Sequence, residues 1–351
     1  MLSQHLWGTP FRTPEEVVRW FGALQAQDFP VAKWSVAQRA SGVTDAAMDR
    51  AFNDGAILRT HLLRPTWHFV LPEDIRWMLE LTGPRVNALN AYRYRQLDLD
   101  VPVLAKTSTL IAKALEDGSQ RTRKELAAML ERGGVKSDGQ RLAYILMRAE
   151  LDGVVCSGAR RGKQHTYASL GKRAPLARTL DREAALAELT RRYFTSRGPA
   201  TLKDYVRWSS LTMAEGRSGL DAVKPELEYE VVDDRTYWFA ESPRKAKTSS
   251  KAIDLVQGLD EYIMSYSESR DVLVGPLGAD EAARIAIVFV HMVLRDGQFM
   301  GHWRPASRGK SIAIEASFYK RLNRVEEKAL KAAVERYGRF LGVSASYSTF
   351  L

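Results

Sequence analysis

The segment Leu24-Gln25-Ala26-Gln27-Asp28 sets two carboxamides two positions apart and follows them directly with a carboxylate. A carboxamide is not a strong base. Its oxygen accepts hydrogen bonds and its NH2 donates them, so two together can orient a water molecule as a nucleophile. Their carbonyl dipoles can also stabilise positive charge that develops on a substrate. Such a pair suits a leaving group that departs without prior protonation, because glutamine supplies no general acid. Asp28 offers a second arrangement in which its carboxylate is the base. In an extended segment it points away from Gln27, which ranks it behind the pair. By itself the triplet also reads as a polar helix end facing solvent, so its meaning depends on what surrounds it.

The elements that must position these groups are legible in part. Thr13 and Glu16 form a capping box, Pro14 stands at the first helical position, and Val17, Phe21 and Leu24 line one face. This predicts a helix ending near Pro30, with Gln25 to Asp28 on its last turn or just beyond. Helices over Trp34–Ala40 and from the Thr44 cap through Phe52 follow, then strands at Ile57–Leu63 and Trp67–Leu71 joined through Arg64-Pro65-Thr66. Three helices and a hairpin make a winged helix. The order returns with helices over Leu104–Glu116, Thr122–Glu131 and Ser137–Leu151 and a hairpin from Val154 to Ala168. Leu142, Ile145, Leu146 and Ala149 are the buried stripe of the third of these helices, which leaves Arg141, Tyr144 and Arg148 on the opposite face. The hairpin carries Arg160, Arg161, Lys163 and His165 as a basic wing. A third copy, by element order alone, comprises helices over Arg182–Ser196, Thr201–Trp208 and Thr212–Ala222 and a hairpin of Leu227–Val232 with Tyr237–Ala240. A basic run at 244–251 reads as an exposed loop. Beyond it, strands at Tyr262–Tyr266, Ala286–Leu294, Phe299–Trp303 and Ser311–Ala316 precede a helix over Arg324–Phe340. Asp296-Gly297 marks a two-residue hairpin with Arg295 and Gln298 at its tip.

The fold class read from these elements is α+β: three tandem winged helix-turn-helix units followed by a small C-terminal β-barrel or sheet. The units run over 1–100, 101–175, 176–250 and 251–351. With 351 residues, 45% of them hydrophobic and 27% charged, the composition is that of a globular protein and excludes disordered and fibrous classes. Cys156 is the single cysteine, which rules out an internal disulfide and Cys-held clusters and makes a metal site improbable. Fifty-two basic against 42 acidic residues leave +10, a balance that suits a polyanionic partner. No apolar run is long enough to span a membrane, and the N-terminus has no signal-peptide core, so a cytoplasmic, nucleoid-associated protein is expected.

Four stretches together carry a family resemblance: Leu24-Gln25-Ala26-Gln27-Asp28 with Trp34; Arg59 with Leu63-Arg64-Pro65-Thr66-Trp67-His68; Leu259-Asp260-Glu261-Tyr262 with Arg270; and Gly301-His302-Trp303-Arg304. Over nearly its whole length the chain resembles the AlkZ/YcaQ-like winged-helix DNA glycosylases, and its Gln-Ala-Gln resembles the AlkZ-type branch. The resemblance implies three tandem winged helices and a C-terminal β-barrel around a concave DNA-binding channel, in a monofunctional, cofactor-free and monomeric enzyme that excises N7-alkylated purines, crosslinks among them, from double-stranded DNA, with Gln25 and Gln27 catalytic. An N7-alkylated purine is cationic and already a good leaving group, so two glutamines placing a water toward C1′ suffice, and undamaged bases lack the acid they need. Asp28, Trp67 and His68 are candidate catalytic or lesion-contacting residues. Arg59, Arg64, Arg141, Tyr144, Arg148, Arg160, Arg161, Lys163, Arg295 and Arg304 are candidate DNA contacts. The bland alternatives are solvated or packed side chains at these positions. Two other functions suit the same features: a winged-helix transcription regulator without catalysis, and a glycosylase/lyase using an amine such as Lys33.

Overall fold

Thr13 opens the first helix as expected: its hydroxyl accepts from the Glu16 N–H and the Glu16 carboxylate accepts from the Thr13 N–H, giving α1 (Pro14–Phe21). In this computed structural model, which describes residues 1–240, 252–273, 290–308 and 311–351, α1 stops well short of Pro30. Gly22 adopts φ 72°, a conformation that favours glycine, and its N–H returns to Val18 O. That turn delivers the chain into β1 (Ala23–Gln25), so Gln25 lies on a strand and not at a helix end. Pro30 falls instead in the first turn of α2 (Phe29–Ala37), where its missing N–H has no intrahelical partner to lose.

After α3 (Asp45–Asp54), capped by Thr44, come β2 (Leu58–Leu62) and β3 (Arg64–Val70). Leu63, at φ 59°, makes the tight turn between them. Arg64, Pro65 and Thr66 therefore belong to the strand and not to its connection. β3 is the middle strand of a three-stranded antiparallel sheet, with Gln25 opposite His68 on one side and Thr60 opposite His68 on the other.

A long helix that the periodicity did not announce, α4 (Ile75–Gln96), runs through Pro84. The next elements keep the expected order: α5 (Val101–Ala114), β4 (Arg121–Thr122), α6 (Arg123–Arg132), α7 (Gly139–Leu151), β5 (Val155–Ser157) and β6 (Thr166–Ser169). They are followed by α8 (Leu170–Arg173), α9 (Arg182–Arg197), α10 (Leu202–Ser209), α11 (Met213–Val223), β7 (Glu228–Val232) and β8 (Arg235–Phe239).

In the last hundred residues β9 (Ile253–Val256) precedes α12 (Glu261–Met264). The strand expected at Tyr262–Tyr266 is this short helix, because Asp260 caps it: Asp260 Oδ1 accepts from the Tyr262 N–H at 2.8 Å. Then come β10 (Met292–Arg295), β11 (Gln298–Arg308), β12 (Ser311–Phe318), α13 (Arg324–Leu341) and β13 (Ser344–Phe350). Asp296 and Gly297 form the predicted two-residue turn, both with positive φ. These strands make an open five-stranded sheet in the order β13-β12-β11-β10-β9, with β13 parallel to β12. The basic run at 244–251 and the expected start of a strand at Ala286 lie outside the described residues.

The core joins distant parts of the chain. Val17, Phe21, Leu24, Trp34 and Phe69 share one apolar cluster with Leu255, Trp303, Tyr337 and Phe340. Trp34 Nε1–H donates to Leu255 O at 2.7 Å, and the indole meets the Tyr337 and Phe340 rings at 5.0 and 5.2 Å. Two arginines are wholly buried beside it, and each has a buried acid, the arrangement that makes a charge tolerable in a core. Arg39 is held by both oxygens of Asp260, and Arg197 by Glu261.

Candidate active site

Gln25 and Gln27 take different positions. Gln25 is buried, 3% exposed. Its backbone N–H donates to Glu261 Oε1 at 2.7 Å, its Nε2–H donates to Thr66 Oγ1 at 3.2 Å, and its Oε1 accepts the Gln27 N–H at 3.1 Å. Gln27 is exposed and lines a cleft of about 840 Å3 with Asp28, Phe29, Arg59, Trp67, His165 and Tyr167. Gln27 Oε1 accepts the Trp67 backbone N–H at 3.2 Å, and among the described residues nothing accepts from its Nε2. One carboxamide supports from beneath; the other faces the cleft. Asp28 lines the cleft too, because the chain turns into α2 there and strict strand alternation no longer applies.

The opposite wall comes from elements expected only as a basic wing and its helix. Thr122, Arg123 and Lys124 at the start of α6, Leu142 of α7, and Gln164, His165 and Tyr167 near β6 line it. His165 packs against the Phe29 ring at 4.9 Å, and burial together with Arg59 and Arg160 pushes its pKa down to about 4, so the imidazole is neutral at pH 7. Burial and the carboxylate of Glu150 raise the Tyr167 phenol.

Arg59, 7% exposed, is committed to the glutamine loop: Nε–H donates to Ala26 O at 2.9 Å and Nη2–H to Gln27 O at 3.3 Å. Burial lowers its pKa to about 10, opposed first by Glu150. Its guanidinium stacks 4.2 Å from the Trp67 ring centroid.

Arg64 and His68 lie beneath the cleft and do not line it. Arg64 donates to Trp208 O at 2.8 Å and to His68 Nε2 at 3.3 Å, while His68 Nδ1 lies 3.0 Å from Thr66 O. This pattern fits a neutral ring protonated on Nδ1. Burial and then Arg64 push the His68 pKa down to about 3. Glu261 shows the reverse: burial would raise its carboxyl, but Arg197 and Arg64 outweigh that and hold it at about 2. Its Oε2 accepts from Arg197, from Trp208 Nε1–H at 3.0 Å and from Ser265 Oγ–H at 2.8 Å.

The remaining sequence candidates are dispersed. Arg160 sits 5.1 Å from the Phe29 ring and pairs with Asp49; Arg161 pairs with Glu125; Lys163 is exposed. Arg141 donates to Lys136 O, Leu97 O and Asp98 O, Tyr144 packs on Tyr94, and Arg148 pairs with Asp152. On the five-stranded sheet Arg295 pairs with Glu326 and Arg304 with Glu315. Lys33 is bound to Asp45 and Asp49.

Glu150 and Glu261 escaped notice as site residues. Glu150 had a signal, since four residues after Leu146 it falls on the buried stripe of its helix, where an acid needs a partner.

The chain matches the family model described as DNA glycosylase AlkZ-like over residues 18–340. It is similar to an interstrand DNA cross-link repair glycosylase of Streptomyces sahachiroi, with 23% identity over 342 residues that cover 94% of this chain and 91% of that protein. It is also similar in fold to the solved Streptomyces sahachiroi DNA glycosylase AlkZ, with a TM-score of 0.81 and 21% identity over 100% of this chain and 97% of that one. Together these define a DNA glycosylase, a hydrolase of N-glycosyl bonds whose substrate is DNA. The chain belongs to the AlkZ-like DNA glycosylase family. No helix among the described residues is long and apolar enough to cross a membrane.

Proposed function

We propose that this glycosylase hydrolyses the N-glycosidic bond of N7-alkylated purines in double-stranded DNA, bulky adducts and interstrand crosslinks among them. The observation that carries this reading is Gln27, whose carboxamide faces the cleft and accepts from the Trp67 N–H while Gln25 and Arg59 hold its main chain from behind. Its free NH2 and the second lone pair of Oε1 hold a water toward C1′, and Gln25 sets their direction. The carbonyl dipoles stabilise the oxocarbenium-like sugar as the bond opens. A neutral His165 supplies no strong acid, which suits a cationic base that leaves without protonation and spares undamaged purines. The crosslink repair named for the Streptomyces relative extends the substrate range to bulky lesions.

The repeated order of helices and hairpins supports three winged-helix units, 1–100, 101–175 and 176–250, with 251–351 closing a channel around the duplex, all in one monomer. DNA contacts are assigned to Arg160, Arg161 and Lys163 beside the cleft, to Arg141, Tyr144 and Arg148 on α7, and to Arg295 and Arg304 on the sheet. Trp67 is assigned to the lesion. Arg59, Arg64 and His68 act through the segments they hold. The reading needs no cofactor, and Lys33, engaged by two acids, is not assigned as a Schiff-base nucleophile.

The test is release of 7-methylguanine from methylated duplex DNA by the wild type, Gln25→Ala, Gln27→Ala and Asp28→Asn. Loss in either glutamine variant with DNA binding retained, and activity in Asp28→Asn, supports the water-positioning pair. Loss confined to Asp28→Asn moves the base to Asp28, and no release by folded wild type overturns the substrate class.

A further inference from the structure

Glu150 is 1% exposed and lies on α7, outside the lining of the cleft. A buried carboxylate must be compensated. Here the partners come from the other wall: Glu150 Oε1 accepts from Trp67 Nε1–H at 3.3 Å, and Oε2 is bonded to His61 Nδ1. The two rings that meet this carboxylate pack against each other, tilted by 41° with centroids 4.2 Å apart. The Trp67 indole also carries the Arg59 guanidinium, 4.2 Å from its ring centroid. Arg59 in turn holds Ala26 O and Gln27 O, and the Trp67 main chain holds Ala26 N–H at 2.7 Å and Gln27 Oε1 at 3.2 Å. The hydrogen bonds from this wall to Ala26 and Gln27 thus pass through residue 67 or residue 59, while Gln25 is held by Thr66, and Glu150 fixes the side chain of Trp67.

We infer that Glu150 is a positioning residue for base excision: by holding the Trp67 indole it sets the rotamer on which Arg59 stacks and thereby the orientation of the Gln27 carboxamide. The inference rests on the proposed role of Gln27. Glu150 is not among the residues that line the cleft, and its contribution is the hydrogen bond that it accepts. Glutamine at this position keeps that acceptor; alanine does not. A misdirected nucleophile-positioning group lowers the chemical rate without weakening the hold on DNA, because the phosphate contacts lie elsewhere.

The experiment is single-turnover release of 7-methylguanine under saturating enzyme, with the half-saturating concentration measured separately, for Glu150→Ala, Glu150→Gln, Trp67→Phe, the Glu150→Ala/Trp67→Phe double variant and Gln27→Ala. The expected result is a rate loss of about tenfold or more in Glu150→Ala and in Trp67→Phe, half-saturation within about twofold in Glu150→Ala, and a double variant no slower than the slower single, as for two residues in one chain of contacts. Glu150→Gln stays within about threefold of wild type, which a requirement for buried charge would not allow. A folded Glu150→Ala with the wild-type rate, a loss entirely in half-saturation, or multiplicative losses in the double variant overturns the inference. Should Glu150→Ala not fold, Trp67→Phe against Glu150→Gln carries the same comparison.

A second readout needs no turnover. In a 15N spectrum the Trp67 indole N–H and the Gln27 side-chain NH2 should both move in Glu150→Ala, and an unmoved Gln27 signal overturns the inference. Full activity in Gln27→Ala sinks the two-glutamine reading instead, so the two failures are distinguishable.

Discussion

The backbone N–H of Gln25 donates to the carboxylate of Glu261 at 2.7 Å, across 236 residues of sequence. The strand that carries the first glutamine is thus tied to the start of α12, and through Glu261 to Arg197 of α9. Removing the carboxylate leaves Arg197 buried and unpaired. Glu261→Ala is expected to lower the unfolding free energy by about 3–5 kcal/mol, as measured by urea denaturation with an unchanged m-value. A loss below about 1 kcal/mol would mean that water replaces the carboxylate.

Acid should weaken the fold through His68. The folded protein holds this ring neutral, with its pKa near 3, whereas the unfolded chain protonates it around 6.5. The unfolded state therefore binds the proton first, and stability is full above the unfolded value and declines as pH falls from there toward 3. One such group contributes at most about 1.4 kcal/mol per pH unit. His68→Gln should flatten the decline between pH 6 and 4.5, taken as about the upper part of that window; a slope identical to wild type would assign the acid sensitivity elsewhere.

Gly22 tests the turn that places Gln25. A Cβ there would meet Arg192 Cδ and Met78 Cε at 3.2 Å each, with the backbone at φ +72°. Gly22→Ala should cost about 1–2 kcal/mol from the left-handed conformation, read as a lower urea midpoint. An unchanged midpoint would show that the turn relaxes to negative φ.

Binding to duplex DNA should fall steeply with salt, since each neutralised phosphate releases counterions. Lys163→Ala, at an exposed position, should lower the slope of log K against log salt by about one without changing selectivity for the lesion. A slope unaltered from wild type removes Lys163 from the phosphate contacts.

What could be read from sequence divides along the range of the interactions. Capping boxes at Thr13 and Thr122 act over three residues, and both helices start where the sequence puts them. The Asp296-Gly297 turn is equally local. Gln25 was placed on a helix end because its strand exists only through β3, some forty residues on. α4 gave no one-sided pattern: Trp77, Met78, Leu79, Leu81 and Thr82 are all buried, so its apolar residues surround it. β13 reads Ser-Ala-Ser-Tyr-Ser-Thr-Phe and is mostly exposed, so it carries no inward alternation to detect. Of the site, the glutamine pair was visible and the far wall, with Arg123, Lys124, His165 and Tyr167, was visible only as charge and wing.

Trp34 stands seven residues beyond the Gln-Ala-Gln loop on a helix side, and its indole is covered by Tyr337 and Phe340 and bonded to Leu255. During synthesis the first hundred residues leave the ribosome with that face bare, and Gln25 lacks the carboxylate that receives its N–H. The nascent chain therefore carries the Gln-Ala-Gln segment before it carries the core that holds it, and a chain ending ahead of α13 leaves the Trp34 indole without the Tyr337 and Phe340 rings.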